Sequence, residues 1–189
     1  MKSYPPRNFL YLRHGQTEWN RQGRMQGATD IPLNETGRDQ AREAAGRLTD
    51  THIDRIIASP MLRAAETADI VAQTKSLPVT HDDRLKERFF GAYDGMLLSE
   101  IREQHGVGDG VSIWSLNSPE AEPLEVALNR TIDSLCEHLA DTDDQVLFVA
   151  HGALFTLLTE HLFSVRMQSA NATPYCVFKE EGVWRAHEI

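Results

Sequence analysis

Apolar residues recur along this chain in two rhythms. Short apolar runs, as at Phe9-Leu10-Tyr11-Leu12 and Val146-Leu147-Phe148-Val149-Ala150, have the length and composition of buried strands. Longer stretches place small or apolar residues every three or four positions, the period of a helix. The pattern predicts strands at 8–12, 53–58, 78–80 and 145–150, and a closing hairpin of 175–178 with 183–187 around Glu181-Gly182. Asn34 or Thr36 opens a helix, with Asp39 three residues after Thr36 as a loose capping box. Its inward stripe is Ala41, Ala44, Ala45 and Leu48. Ser59-Pro60 reads as an N-cap and first-turn pair starting a helix to about residue 73, with Ala64, Ala65, Ala68 and Val71 inward. Leu124, Leu128, Thr131, Leu135 and Leu139 mark a further helix, and another runs from 152 to about 163. Residues 15–35 read as a long loop. Residues 81–122 read as irregular apart from a short helix at 99–104, with Gly106, Gly108 and Gly110 as a flexible stretch. Strand–helix alternation predicts an α/β fold on a mostly parallel sheet.

A length of 189 residues suits one domain over 1–189, large enough to bury a substantial core. The net charge of −9 argues against nucleic acid or an anionic membrane as partner, so any anion site must be a local cluster of arginines. Cys136 and Cys176 are expected to be buried reduced thiols. No apolar signal core or membrane-spanning run is visible, and the expected location is the cytoplasm.

Chemistry enters where the strands stop. The first ends at Arg13-His14-Gly15, the second at Ser59 with Arg63 one turn on, and the fourth at His151-Gly152. In a parallel sheet these ends share one edge, and ligands bind beyond the carboxyl ends of such strands. Two arginines and two histidines converging there describe a phosphate pocket: a guanidinium fork matches phosphate oxygens, and imidazole can attack phosphorus. Gly15 would let the backbone approach the ligand. The other six histidines, at 52, 81, 105, 138, 161 and 187, lack metal-ligand spacing and read as surface or structural.

These motifs resemble the histidine phosphatase superfamily, the phosphoglycerate mutase-like group. The matching pieces are Arg13-His14-Gly15-x-Thr17-x-x-Asn20, Ser59-Pro60-x-x-Arg63-Ala64-x-x-Thr67-Ala68, Leu85-x-Glu87 with Gly91-x-Tyr93-Asp94-Gly95, and Ala150-His151-Gly152, in the family's order. The resemblance implies a three-layer α/β/α sandwich. It implies His14 as the nucleophile that becomes phosphohistidine, and Arg13, Arg63 and His151 as holders of the phosphoryl oxygens. Glu87 is implied as the acid that protonates the leaving oxygen. Asn20, Thr17, Gln26, Gly27 and Gly152 fall at positions near substrate or phosphate. No metal or other cofactor is expected, because arginines supply the electrostatics. The chain departs from the pattern at Ala153, where a second glycine is common, and at Ala121-Glu122-Pro123, where Gly-Glu-Ser is common. The missing serine removes a hydroxyl from that segment.

The reading is therefore a metal-independent phosphomonoester hydrolase acting on a small phosphorylated metabolite and releasing inorganic phosphate. Cofactor-dependent phosphoglycerate mutases share the pocket but carry a longer insertion with paired arginines; residues 88–150 here have no adjacent arginines. A catalytically silent phosphate-binding or interaction module is the alternative of another class. It is disfavoured because nucleophile, acid and cations are all present. A lid or insertion at about 88–122, with Trp114 and an apolar rim of Phe89, Phe90, Tyr93 and Met96, is expected to choose the substrate. Exposed edge strands near the C-terminus could pair in a homodimer.

Overall fold

The computed structural model describes residues 4–108, 118 and 120–189; Trp114 and Gly110 lie outside them. The strands are β1 (Phe9–Arg13), β2 (Arg55–Ala58), β3 (Val79–His81), β4 (Val146–Ala150), β5 (Pro174–Glu180) and β6 (Val183–Glu188). They form one sheet in the order β3-β2-β4-β1-β5-β6. The first four are parallel; β5 runs antiparallel to β1, and β6 antiparallel to β5.

Side-chain alternation divides the sheet between two helical layers. Leu10, Leu12, Ile56, Ala58, Leu147 and Val149 point to one face. There they meet Ala44 and Ala45 of α2 (Glu35–Arg47), Leu48 just past its end, and Ala68, Val71 and Ala72 of α3 (Leu62–Lys75). Phe9, Tyr11, Ile57, Val146 and Phe148 point the other way. They meet Ile132, Leu135 and Leu139 of α5 (Leu124–Leu139) and Leu154, Phe155 and Leu158 of α6 (Gly152–Phe163). Fully burying each large apolar side chain is worth roughly 1.5–3 kcal/mol, so both layers are held by burial on a period of two. The expected α/β/α sandwich is the observed architecture, with β5 and β6 adding an antiparallel edge.

Several local expectations change. Asn34 caps α2, its Oδ1 accepting the Gly37 N–H at 2.8 Å, and Thr36 lies inside the helix. The stretch 15–35 contains a short helix, α1 (Glu18–Gln22), closed at its start by a Thr17–Asn20 capping box and at its end by Gly23 at φ 68°. The helix after β2 starts at Leu62, later than Ser59-Pro60 suggests. Its first free N–H, that of Leu62, is taken by Asp30 Oδ1 at 2.8 Å, which leaves the Ser59 hydroxyl for other use. Ala65 is only half-buried, whereas Ala64, Ala68 and Val71 are buried. Both cysteines are free but half-buried rather than buried.

Residues 88–104 are anchored more firmly than their irregular pattern suggests. The Met25 and Gly95 N–H groups donate to the Met96 and Met25 carbonyls. Phe90, Tyr93 and Ile101, the last on α4 (Leu98–Gln104), pack with Met25 and Ala153 in a small third core. No helix among the described residues is long and apolar enough to cross a membrane.

Gly15 has a different reason from the expected one. A Cβ there would lie 2.3 Å from the Gly37 carbonyl oxygen, and one on Gly37 would lie 2.0 Å from that of Gln16. Close approach is to the start of α2, which braces the chain just after His14. Gly37→Ala is therefore expected to cost about 1–3 kcal/mol, the usual range for overpacking. It should also depress activity by shifting residues 14–17. Urea unfolding and a steady-state assay on the same variant check both effects.

Candidate active site

Strand register places the site. Arg13 pairs with Ala150 across β1 and β4, and Ala58 pairs with Val149 across β2 and β4. The next residues, His14, Ser59 and His151, thus leave the sheet side by side at its carboxyl edge. His14 N–H still donates to the Ala150 carbonyl, and Ser59 N–H to that of Val149. The His14 and His151 rings lie 5.3 Å apart, centroid to centroid. Arg13, His14, Asn20, Gln26, Gly27, Arg63, Glu87 and Gly152 line one cavity of about 260 Å³.

His14 is buried, and its Nδ1 lies 2.7 Å from the carbonyl oxygen of its neighbour Gly15. A carbonyl only accepts, so Nδ1 carries the proton and Nε2 keeps the lone pair. Burial, then the nearby charges of Arg63 and Arg13, hold the imidazole pKa well below its ordinary range. The result is a neutral ring with one nucleophilic nitrogen.

His151 is also buried and held neutral, first by burial and then by Arg63. Its Nε2 lies 2.8 Å from Ser59 Oγ, which itself accepts the Met61 N–H. The serine hydroxyl is free to donate to Nε2, which puts the His151 proton on Nδ1. That Nδ1 has no hydrogen-bond partner among the described residues. Tyr11, deep in β1, pins the turn: its hydroxyl donates to the His151 carbonyl at 2.8 Å and accepts the His151 N–H.

The arginines are held by backbone carbonyls. Arg63 is fully buried, with Nη1 donating to Thr29 and Nη2 to Gly27. Arg13 Nη1 donates to the Ser169 carbonyl at 2.6 Å. Among the described residues the Nε atoms of both arginines are buried without a partner, as is Ser169 Oγ. With His151 Nδ1 they make four buried polar atoms that lack a hydrogen bond among the described residues, three of them on residues that line the cavity. Two carry guanidinium charge, and leaving them unmet in a finished complex would be costly. An anion in the cavity would offer acceptors to the two guanidinium donors.

Glu87 stands on the cavity wall, its oxygens accepting the N–H groups of Arg88 at 3.0 Å and Ala153 at 3.3 Å. Burial raises its pKa, while Arg63, these two N–H groups and Arg13 pull the other way. The net shift is upward, toward a carboxylic acid that keeps its proton.

Not every expected residue touches the cavity. Thr17 is fully buried beneath it, donating to Gln26 Oε1 at 2.9 Å and capping α1; it orients Asn20 and Gln26 instead of facing a ligand. Gly27 both lines the cavity and holds Arg63, and a Cβ there would strike the Asp94 carboxylate. Arg24 also lines the cavity, with Nη1 donating to the Gly95 carbonyl. Ser169, on the cavity wall, and Asn171 join the site without belonging to any of the sequence motifs. Asn171 Nδ2 donates to the His14 carbonyl at 3.0 Å. Their one signal is a polar run, Gln168-Ser169-Ala170-Asn171, between an apolar helix and the last hairpin. Among the described residues no group of three or more His, Cys, Asp or Glu side chains is arranged to hold a metal ion.

This arrangement defines a class. The family model for the histidine phosphatase superfamily (branch 1) matches residues 9–177, and the chain belongs to that superfamily. It is 40% identical over 151 residues to the uncharacterized phosphatase PhoE of Bacillus subtilis, covering 79% of this chain and 74% of that one. It is 30% identical over 191 residues to a 2,3-bisphosphoglycerate-dependent phosphoglycerate mutase of Caulobacter vibrioides, covering 82% and 80%. A mycobacterial glucosyl-3-phosphoglycerate phosphatase, solved in complex with VO3, matches at a TM-score of 0.84 and 28% identity over 96% of this chain and 98% of that one.

Ser169→Ala deletes one waiting hydroxyl and nothing that holds the loop, since Arg13 binds the Ser169 carbonyl. A hydrogen bond to a charged group is worth about 1.5 kcal/mol, so phosphate affinity should fall on the order of tenfold. Titration calorimetry with inorganic phosphate measures it.

Proposed function

We propose that this chain is a phosphomonoester hydrolase that passes the phosphoryl group of a small metabolite through His14 to water. The observation that carries this reading is the opposite setting of two groups at one cavity, a buried imidazole and a half-buried carboxyl. The His14 imidazole is held neutral, with Nε2 free, and the Glu87 carboxyl is biased toward its acid form.

In the first step the Nε2 lone pair attacks phosphorus and the P–O bond to the alcohol breaks. The departing oxygen takes the Glu87 proton. Phosphoryl transfer spreads charge over the equatorial oxygens, and donors fixed in advance stabilise that charge without reorganising. Arg13, Arg63, His151 and Ser169 supply them. In the second step the Glu87 carboxylate takes a proton from water, the water oxygen attacks phosphorus, and the N–P bond breaks. Inorganic phosphate leaves, with His14 neutral and Glu87 protonated as at the start.

Hydrolysis is preferred over mutase chemistry on two grounds. Residues 88–150 contain no adjacent arginines to grip a second acidic group. The phosphatase relative is also the more similar of the two sequence relatives described above, at 40% against 30% identity. A silent binding module would not need a raised carboxyl beside a neutral imidazole.

Phosphate release from p-nitrophenyl phosphate and isomerisation of 3-phosphoglycerate, measured side by side, test the choice. Hydrolysis should dominate, and mutase turnover exceeding it overturns the reading. His14→Ala should lower hydrolysis by at least about 10³-fold, and rapid acid-free quench of the native enzyme should trap phosphate on His14.

The pH profile follows from the signs. Glu87 is active when protonated and its pKa is raised, so kcat/KM is high on the acid side and falls as pH rises through that shifted value. The depressed pKa of His14 keeps the nucleophile neutral well below the usual imidazole range, so no acid limb should appear near pH 6.5. Glu87→Gln should flatten the alkaline fall. A native rate that climbs steadily into alkali removes Glu87 from the acid role.

A further inference from the structure

The segment that carries Glu87 has little regular structure of its own. A short 3-10 turn ends at Leu85, and residues 86–90 belong to no helix or strand. Among the described residues, no backbone N–H reaches the carbonyls of Lys86 or Glu87. One side chain does. Arg130, on α5, donates through Nη1 to the carbonyls of Arg84 and Lys86, both at 2.6 Å, and through Nη2 to that of Glu87 at 3.3 Å. Its Nε and Nη2 donate to the two oxygens of the Glu122 carboxylate at 2.7 and 2.9 Å. Glu122 in turn holds the other flank of the acid: its N–H donates to the Phe89 carbonyl, and its own carbonyl accepts from Arg88 Nε at 2.7 Å.

We infer that Arg130, braced by Glu122, is a positioning residue that sets where the Glu87 carboxyl stands against the leaving oxygen. Both side chains are about four-fifths removed from solvent. Their pairing is therefore less screened than a surface ion pair and geometrically specific, a planar fork on a carboxylate. The guanidinium touches carbonyls on the chain before Glu87, and the carboxylate's residue touches the chain after it. Neither contacts the Glu87 carboxyl, so what they control is place. Place matters steeply: a general acid must reach the leaving oxygen within hydrogen-bond distance, and a displacement of about 1 Å can cost on the order of 10²-fold. The same reading gives Ala121-Glu122-Pro123 a role that needs no serine hydroxyl.

The inference rests on Glu87 as general acid, and its test separates the two. A misplaced acid harms reactions in proportion to how much the leaving group needs a proton. p-Nitrophenolate leaves nearly unaided, whereas an alkoxide from glycerol phosphate needs the full proton. Arg130→Met should therefore lower kcat for glycerol phosphate about tenfold or more beyond its loss on p-nitrophenyl phosphate, with KM for both changing far less. Arg130→Lys, with charge but no fork, should recover part of the difference. Glu122→Gln should show the same selective loss in smaller measure. Should Arg130→Met fail to fold, Arg130→Lys and Glu122→Gln carry the test by the same criterion. Glu87→Gln run alongside gives the reference. Equal losses on both substrates in the Arg130 and Glu122 variants, with a selective loss in Glu87→Gln, overturn the positioning role alone. No selective loss in Glu87→Gln overturns the acid assignment and the inference with it.

Discussion

Arg13 opposite Ala150 and Ala58 opposite Val149 are the two pairings on which the cavity depends. Side chains alternate along a strand, so a one-residue slip in either ladder would turn His14 or His151 to the opposite face of the sheet. The slip is prevented by the apolar alternation itself. Leu10 and Leu12 are committed to the α2–α3 layer, and Phe9 and Tyr11 to the α5–α6 layer. Moving either set would expose several large side chains at roughly 1.5–3 kcal/mol each. The packing of two hydrophobic layers therefore fixes the relative height of the polar residues just beyond the strands. Tyr11 joins the two functions in one residue, its ring in the core and its hydroxyl bonded to the backbone of His151.

Having fixed the positions, the fold leaves the site short of negative charge. The protein as a whole carries −9, yet Arg13 and Arg63 face the cavity held by carbonyls, not carboxylates. Carbonyl dipoles hold a guanidinium in place without neutralising it. Burial lowers the proton affinity of both arginines, and the nearby Glu87 opposes that shift. The charge is thus kept available for a ligand, and an anion is the species that relieves it. The acidic exterior does not compete, because the cavity is walled by low-dielectric core and its cations act at contact distance.

What the sequence made legible was whatever is local or periodic. The strands, the major helices and the Ala41, Ala44, Ala45 and Leu48 stripe follow from period alone, and all four stripe residues are buried. His14, Arg13, Arg63, His151 and Glu87 could be selected because each sits at a junction that periodicity exposes or in a motif that resembles the family's. What stayed hidden depends on contacts between distant parts of the chain. Ser59 looked like a cap because Ser-Pro usually is one; Asp30 takes a first-turn N–H of α3 and frees the serine for His151. Thr17 has the composition of a ligand contact, but its hydroxyl is consumed by Gln26 and Asn20. Gly15 looked like room for a ligand and proved to be room for Gly37, 22 positions away by number. Arg130 lies on a helix whose apolar stripe drew attention elsewhere, and no spacing rule connects it with Glu87.

The deepest economy of the site is that one cause sets two groups in opposite senses. Burial disfavours charge, whichever sign it has. For an imidazole that means losing the proton, and for a carboxyl it means keeping one. His14 and Glu87 share a cavity and a neighbourhood of arginines, and burial leads the shift in both. The arginines reinforce the effect on His14 and oppose it on Glu87, so Glu87 is the more finely balanced of the two. Burial pushes its pKa up against Arg63, two backbone N–H donors and Arg13. A small movement of its carboxyl toward the guanidiniums would strengthen the opposing pull and favour the carboxylate. His14 is held by its place at the end of β1, its ring by the Gly15 carbonyl and its backbone by Ala150 and Asn171, whereas the loop bearing Glu87 has no strand or helix of its own and is gripped on both flanks from α5 and the segment before it.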